Sequence, residues 1–97
     1  MTRSELMRIL EEEECLTADG FDGALVGCQY GGDVVAVYDI NRMVTILMQD
    51  DDMTMEDAID YLDFNVVNSY VGEKTPIYVV LDAYLQGSPD EKEVHDD

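Results

Sequence analysis

The residues of this chain that could do chemistry are mostly carboxylates. Twenty-three Asp and Glu accompany only five Lys and Arg in 97 residues, so the formal net charge is −18. Acids at this density can bind hard cations, form acid–base pairs or attract a basic partner. The acids that stand in runs or in helical rows are our candidate partner-binding residues: Glu11, Glu12, Glu13, Glu14, Asp50, Asp51, Asp52, Glu56, Asp57, Asp60 and Asp63.

A calcium loop is the first chemistry to test, because the run that begins at Asp50 starts like an EF-hand. That loop needs glycine at its sixth position and a bidentate glutamate at its twelfth, where this chain has Met55 and Tyr61. The run is better explained as a linker whose charges favour the N-terminus of the following helix. We therefore expect no metal site and no cofactor.

Nucleophilic catalysis lacks a convincing set of residues. The single histidine, His95, lies in a C-terminal stretch without apolar periodicity, so no catalytic triad is supported. Cys15 and Cys28 form no CxxC motif, and we expect free thiols, with a Cys15–Cys28 disulfide left open. Carboxylate pairs are too common in this chain to indicate acid–base catalysis. We expect that the protein is not an enzyme.

The net charge also limits the partners. Nucleic acids and anionic membranes require Lys and Arg to offset phosphate, so direct binding to either is not expected. No apolar run approaches the roughly 18 residues of a spanning helix, and residues 1–14 lack the apolar region of a signal peptide. We expect a cytoplasmic protein with a basic protein as partner.

Three helices are predicted to position the acids. Thr2 and Glu5 form a capping box before apolar residues at helical spacing, which predicts a helix over 3–15. Apolar residues at helical spacing also predict a short, buried helix over 41–49 and a longer amphipathic helix over 54–68. The acidic runs therefore end the first two helices, and the acidic row lies along the third.

Strands are predicted in three segments. The runs 24–30 and 33–39 are rich in β-forming residues, and Gly31 and Gly32 between them accept the positive φ of a tight hairpin turn. A third strand is predicted over 77–81. A hairpin alone is marginally stable, so another element must cover one of its faces.

The elements together predict an α+β fold. We expect a single domain over 1–86, in which the hairpin and third strand form a small antiparallel sheet packed against two or three helices. The helix over 3–15 either packs on the sheet through Leu6, Ile9 and Leu10 or projects as an arm. Residues 87–97 are predicted to be a disordered acidic tail.

Both acidic runs lie where the helix dipole disfavours negative charge. Carboxylates are unfavourable near a helix C-terminus, yet Glu11–Glu14 and Asp50–Asp52 end two predicted helices. An unfavourable local arrangement without visible compensation is a reason to suspect a functional role. The alternative is that both runs are simply solvated surface.

One segment of the chain resembles a known family. Residues 37–79 share a pattern with small acidic proteins encoded by bacteriophages and prophages, in which glycine often occupies the position of Asp52. The shared residues are Val37-Tyr38-Asp39, Ile46-Leu47-Met48, Met53-Thr54, Glu56-Asp57-Ala58, Asp63-Phe64-Asn65, Tyr70-Val71-Gly72 and Thr75-Pro76-Ile77. The resemblance implies a phage-like setting, where small proteins often inhibit host machinery, and it carries over no catalytic residues.

These observations predict an acidic inhibitor in the cytoplasm of an infected host cell. Its carboxylates are expected to occupy the basic groove of a nucleic-acid-binding protein or nuclease complex, as a nucleic-acid mimic of anti-CRISPR or anti-restriction type. The main alternative is a phage structural or accessory module that self-associates, as a homodimer for example, with charge serving solubility only. A third reading attributes the acidity to a saline environment, since proteins of salt-loving organisms are also acidic.

Overall fold

Helices and strands follow one another in the predicted order. The computed structural model describes residues 1–69 and 71–82, so the predicted tail over 87–97 and His95 lie outside the described residues. Within them the chain forms α1 (Arg3–Glu12), β1 (Leu25–Cys28), β2 (Ala36–Asp39), α2 (Ile40–Asp50), α3 (Met55–Leu62) and β3 (Ile77–Val79). A short 3₁₀ turn, Asp22–Ala24, precedes β1, and a π-helical turn, Asp63–Val67, continues α3.

The sheet has the order β1-β2-β3 and is mixed. The predicted α+β class is confirmed, and β1 and β2 are antiparallel, with Leu25 opposite Tyr38. The third strand was expected to extend an antiparallel sheet, which is wrong: β3 runs parallel to β2, with Tyr78 beside Tyr38. The reason is the path of the chain, because α2 and α3 form a helical crossover, and such a crossover returns the chain in the direction of the previous strand.

The hairpin connection is longer than predicted. Gly31 and Gly32 do have positive φ, 80° and 70°. The strands nevertheless stop early, and the hydrogen bond that closes the loop runs from the Gln29 N–H to the Val35 carbonyl, 3.0 Å. The expected two-residue turn is therefore wrong, since residues 30–34 lie within that closing bond.

Helices α1 and α3 begin at threonine caps, and the cap of α1 is the predicted one. The Glu5 N–H donates to Thr2 Oγ1 and the Thr2 N–H donates to Glu5 Oε1, so the capping box is present. Thr54 caps α3, with its Oγ1 accepting from the Asp57 N–H at 3.1 Å. Helix α1 ends earlier than the predicted residue 15. The α-helical part of α3 ends at Leu62, but the π-helical turn continues the helical path to Val67, close to the predicted end at residue 68. Among the described residues, no helix is long and apolar enough to cross a bilayer.

The core lies between the sheet and the three helices. Tyr38 of β2 is fully buried and its ring stacks on Tyr78 at 6.1 Å between centroids. Leu6 and Leu10 of α1 belong to the same buried cluster, which also includes Leu25, Met43, Val44, Leu47, Ala58 and Leu62. Helix α1 therefore packs on the domain and does not project as an arm.

Candidate functional site

The first acidic run surrounds the end of α1. The helix stops at Glu12, Glu13 is its C-cap, and Glu14 adopts a left-handed φ of 58°. The Cys15 N–H donates to the Leu10 carbonyl at 2.9 Å and the Glu14 N–H donates to that of Glu11 at 3.1 Å, the pattern of a Schellman motif. This geometry caps the helix with an acidic residue where glycine is usual.

Two cations contact this run. Arg8 Nε lies 4.0 Å from Glu12 Oε2, and Lys74 Nζ lies 3.8 Å from Glu13 Oε1. Lys74 Nζ also donates to the Val34 carbonyl at 3.2 Å, which ties the end of α1 to the loop before β2. The Arg8–Glu12 pair is exposed and the Lys74–Glu13 pair is partly exposed, and solvent-accessible pairs of this kind contribute little stability, about 0–1 kcal/mol. Most of the negative charge at this end therefore faces water.

Cys15 lies beside this acidic run and contacts the same carbonyl as Lys74. Its Sγ donates to the same Val34 carbonyl at 3.1 Å, and Cys15 and Cys28 are both free thiols. Burial raises the pKa of the Cys15 thiol, and the nearby Lys74 only partly opposes this. The thiol is therefore protonated at neutral pH and is a poor nucleophile.

The second acidic run ends α2 in a similar way. Asp51 is the C-cap, Asp52 has a left-handed φ of 59°, and the Met53 N–H donates back to the Leu47 carbonyl at 3.4 Å. Asp52 holds a conformation that glycine adopts most readily. Asp52 does not cap α3; Thr54 does.

The acidic row of α3 faces water. Ala58 and Leu62 are buried against the core, so the opposite face of the helix is free. The four acids on this helix and on the turn that follows it are exposed: Glu56, Asp57, Asp60 and Asp63. Glu56 and Asp57 also lie in the first turn of the helix, where negative charge is favourable.

All eleven candidate residues are exposed, but they do not form a single pocket. Asp50 and Asp51 line a cavity of about 190 Å³ together with Asp19, Phe21 and Tyr61. A larger cavity of about 470 Å³ is lined by none of the eleven and includes two cations, Arg3 and Arg42. In the described part of the chain, no three His, Cys, Asp or Glu side chains are grouped so as to hold a metal ion.

Three residues outside the eleven candidate acids matter here. Asp19 joins Asp50 and Asp51 across 31 positions of the chain, which no local pattern could indicate. Asp39 is fully buried: its carboxylate accepts from the Asn41 N–H at 3.0 Å to cap α2, and its Oδ2 lies 3.6 Å from Arg42 Nε. Its position before a helix is the usual signal for such a cap.

The third such residue is Phe64, whose side chain is 80% exposed in the π-helical turn after α3. It follows Asp63 directly in the chain and lies four positions after Asp60.

Comparison with protein-family models, with curated proteins and with solved structures finds no match for this chain.

Proposed function

We propose that this chain is an acidic interaction protein that binds and inhibits a basic, nucleic-acid-processing protein. In this proposal, its carboxylates occupy a groove that otherwise binds phosphates, as in an anti-CRISPR or anti-restriction inhibitor acting in the cytoplasm of an infected cell. The phage setting rests on the resemblance of residues 37–79. The binding chemistry rests on the acids themselves.

The supporting observation is uncompensated charge on ordered elements. All eleven candidate acids are exposed, and within residues 1–69 and 71–82 only Glu12 and Glu13 of the eleven form ion pairs. An unpaired surface of one sign attracts a partner of the opposite sign and accelerates the encounter. The same surface repels nucleic acid, so a protein is the partner that its chemistry favours.

The acidic row on α3 favours mimicry of nucleic acid through the overall electrostatic field of the protein. Residues 56, 60 and 63 are separated by about 6 and 4.5 Å along a helix axis, whereas each DNA strand advances about 3.4 Å per phosphate. The spacings differ too much for each carboxylate to replace one phosphate. Binding should therefore depend on the number and position of charges more than on any single contact.

A salt-graded pull-down with matched charge reversals tests the proposal. The wild-type chain is used to capture proteins from a bacterial host lysate, and the affinity of the captured protein is then measured between about 0.05 M and about 0.5 M NaCl. Two variants reverse candidate acids: Glu11→Lys with Glu12→Lys, and Asp60→Lys with Asp63→Lys. The control, Asp33→Lys with Glu73→Lys, changes the net charge equally at exposed acids outside the candidate set.

The proposal predicts a nucleic-acid-binding protein whose affinity falls steeply with salt and falls more in the candidate variants than in the control. Lysines at the end of α1 also suit the helix dipole, so that variant should fold. Equal loss in all three variants, or affinity that salt does not change, contradicts the proposal. An oligomer of the chain alone that persists in high salt supports the self-associating alternative.

A further inference from the structure

The outer face of α3 presents an aromatic ring next to carboxylates. Phe64 is 80% exposed, so most of its ring is accessible to a partner. Helical spacing puts Phe64, the second residue of the π-helical turn, on the same face as Asp60 four positions earlier and Asp57 about one turn before that. Asp57 and Asp60 are also exposed. We call Asp57, Asp60 and Phe64 the α3 outer surface.

The backbone that carries Phe64 is held in place. It belongs to the π-helical turn Asp63–Val67. The Asn65 side-chain amide donates to the Tyr61 carbonyl at 3.1 Å, and the Asn68 amide donates to the Asp63 carbonyl at 2.6 Å. π-Helical turns recur at functional sites, and a contact held in advance loses less entropy on binding. These bonds therefore present Phe64 to a partner at little additional cost.

A ring flanked by carboxylates suits one side chain better than any other. The face of an aromatic ring attracts a cation, and arginine makes this contact more often than lysine. Arginine is also planar and less strongly hydrated, and its N–H groups match the two oxygens of a carboxylate. One guanidinium can stack on a ring and donate to an adjacent carboxylate at the same time.

We propose that the α3 outer surface binds arginine side chains of the basic partner and prefers arginine to lysine. This inference rests on the proposed function and sharpens it, because net charge alone does not distinguish the two cations. Charge complementarity selects a basic partner, and the exposed ring selects the guanidinium. The predicted partner therefore presents arginines at the part of its surface that meets α3.

The test uses two peptides of equal length and charge, tetra-arginine and tetra-lysine, both with blocked ends. Each is titrated into the ¹⁵N-labelled full chain at low salt, while amide chemical shifts of α3 and the turn after it are followed by NMR. We expect tetra-arginine to bind about twofold to fivefold more tightly than tetra-lysine, the range for an exposed cation–π contact. The largest shifts should occur around Asp60 and Phe64.

Substitutions then separate the contribution of the ring to binding from that of the charge. Phe64→Leu keeps an apolar side chain and should abolish the preference, whereas Phe64→Tyr keeps a ring and should retain it. The matched control is Tyr30→Leu, because Tyr30 is also an exposed aromatic residue but lies in the β1–β2 loop. Asp60→Asn should weaken binding of both peptides.

Equal affinity for the two peptides overturns the arginine preference and leaves a charge-driven function standing. A preference that survives in Phe64→Leu, or that is lost in Tyr30→Leu, also overturns it. If neither peptide binds at low salt, both this inference and the charge-driven function fail. Circular dichroism of each variant confirms that the fold is retained, as expected for substitutions of exposed side chains.

Discussion

At the scale of single residues, Glu14 and Asp52 are the most unusual positions. Both adopt left-handed backbone angles, with φ of 58° and 59°, and each stands just after the end of a helix. A left-handed conformation costs a residue with a side chain about 1–2 kcal/mol, less for Asp than for Glu. A carboxylate at a helix C-terminus adds a further unfavourable interaction.

Glycine at either position should therefore stabilise the fold. For Glu14→Gly we expect a gain of about 0.5–1 kcal/mol in the free energy of unfolding, after the entropy that glycine adds to the unfolded chain is subtracted. Asp52→Gly should gain less. Urea denaturation measures both. Glu14→Gln removes the charge but keeps the side chain, so it measures the contribution of the charge alone. Glu11→Gly, inside α1, should instead lower the free energy of unfolding by about 1 kcal/mol. A loss of stability in Glu14→Gly contradicts the left-handed conformation of Glu14.

At the scale of elements, α1 links the acidic run to the core. Leu10 is 2% exposed in the same cluster as Leu25 of β1, whereas Met7 on the same helix is 38% exposed. The helix can therefore carry Glu11–Glu14 on a fixed axis. If α1 were an arm, its apolar residues would contribute nothing to the stability of the domain.

Truncation of Leu10 distinguishes the two arrangements. We expect Leu10→Ala to lower the free energy of unfolding by about 2–5 kcal/mol, because it removes buried methyl groups and leaves a cavity. The matched control, Met7→Ala, should change it by about 0.5 kcal/mol or less. Both are measured by urea denaturation followed by circular dichroism. If both substitutions change the free energy of unfolding by similar, small amounts, α1 is not packed on the core.

At the scale of the whole molecule, the net charge of −18 opposes compactness. Like charges on a folded surface repel one another, and this repulsion is relieved when the chain expands. The ion pairs at Glu12 and Glu13 are accessible to water and offset little of this repulsion. The acidic surface therefore lowers the stability of the free protein.

Salt should stabilise the free protein by screening this repulsion. From about 0.1 M to about 1 M NaCl the screening length falls from about 10 Å to about 3 Å, so the free energy of unfolding should rise. The variant with Glu11, Glu12, Asp33 and Glu73 all changed to Lys should be more stable at low salt and respond less. Equal salt responses contradict the repulsion argument. A wild-type chain that folds only near molar salt supports the saline-environment alternative.

Taken alone, the sequence determined the order of the elements and the cap of α1, because these depend on interactions within a few residues. Thr2 and Glu5 cap α1, and Gly31 and Gly32 take the positive φ that their type allows. It also determined that the candidate acids are exposed, since consecutive carboxylates cannot all be buried without partners.

Only the tertiary structure decided what meets across the chain. The parallel direction of β3, the packing of α1, the approach of Lys74 to Glu13 and the position of Asp19 beside Asp50 all depend on the path between distant segments. The outward placement of Phe64 has the same origin, because α3 turns its buried face to the core only once α2 and the sheet are in place. Local preferences do not encode these contacts, which arise from the shared burial of apolar surface.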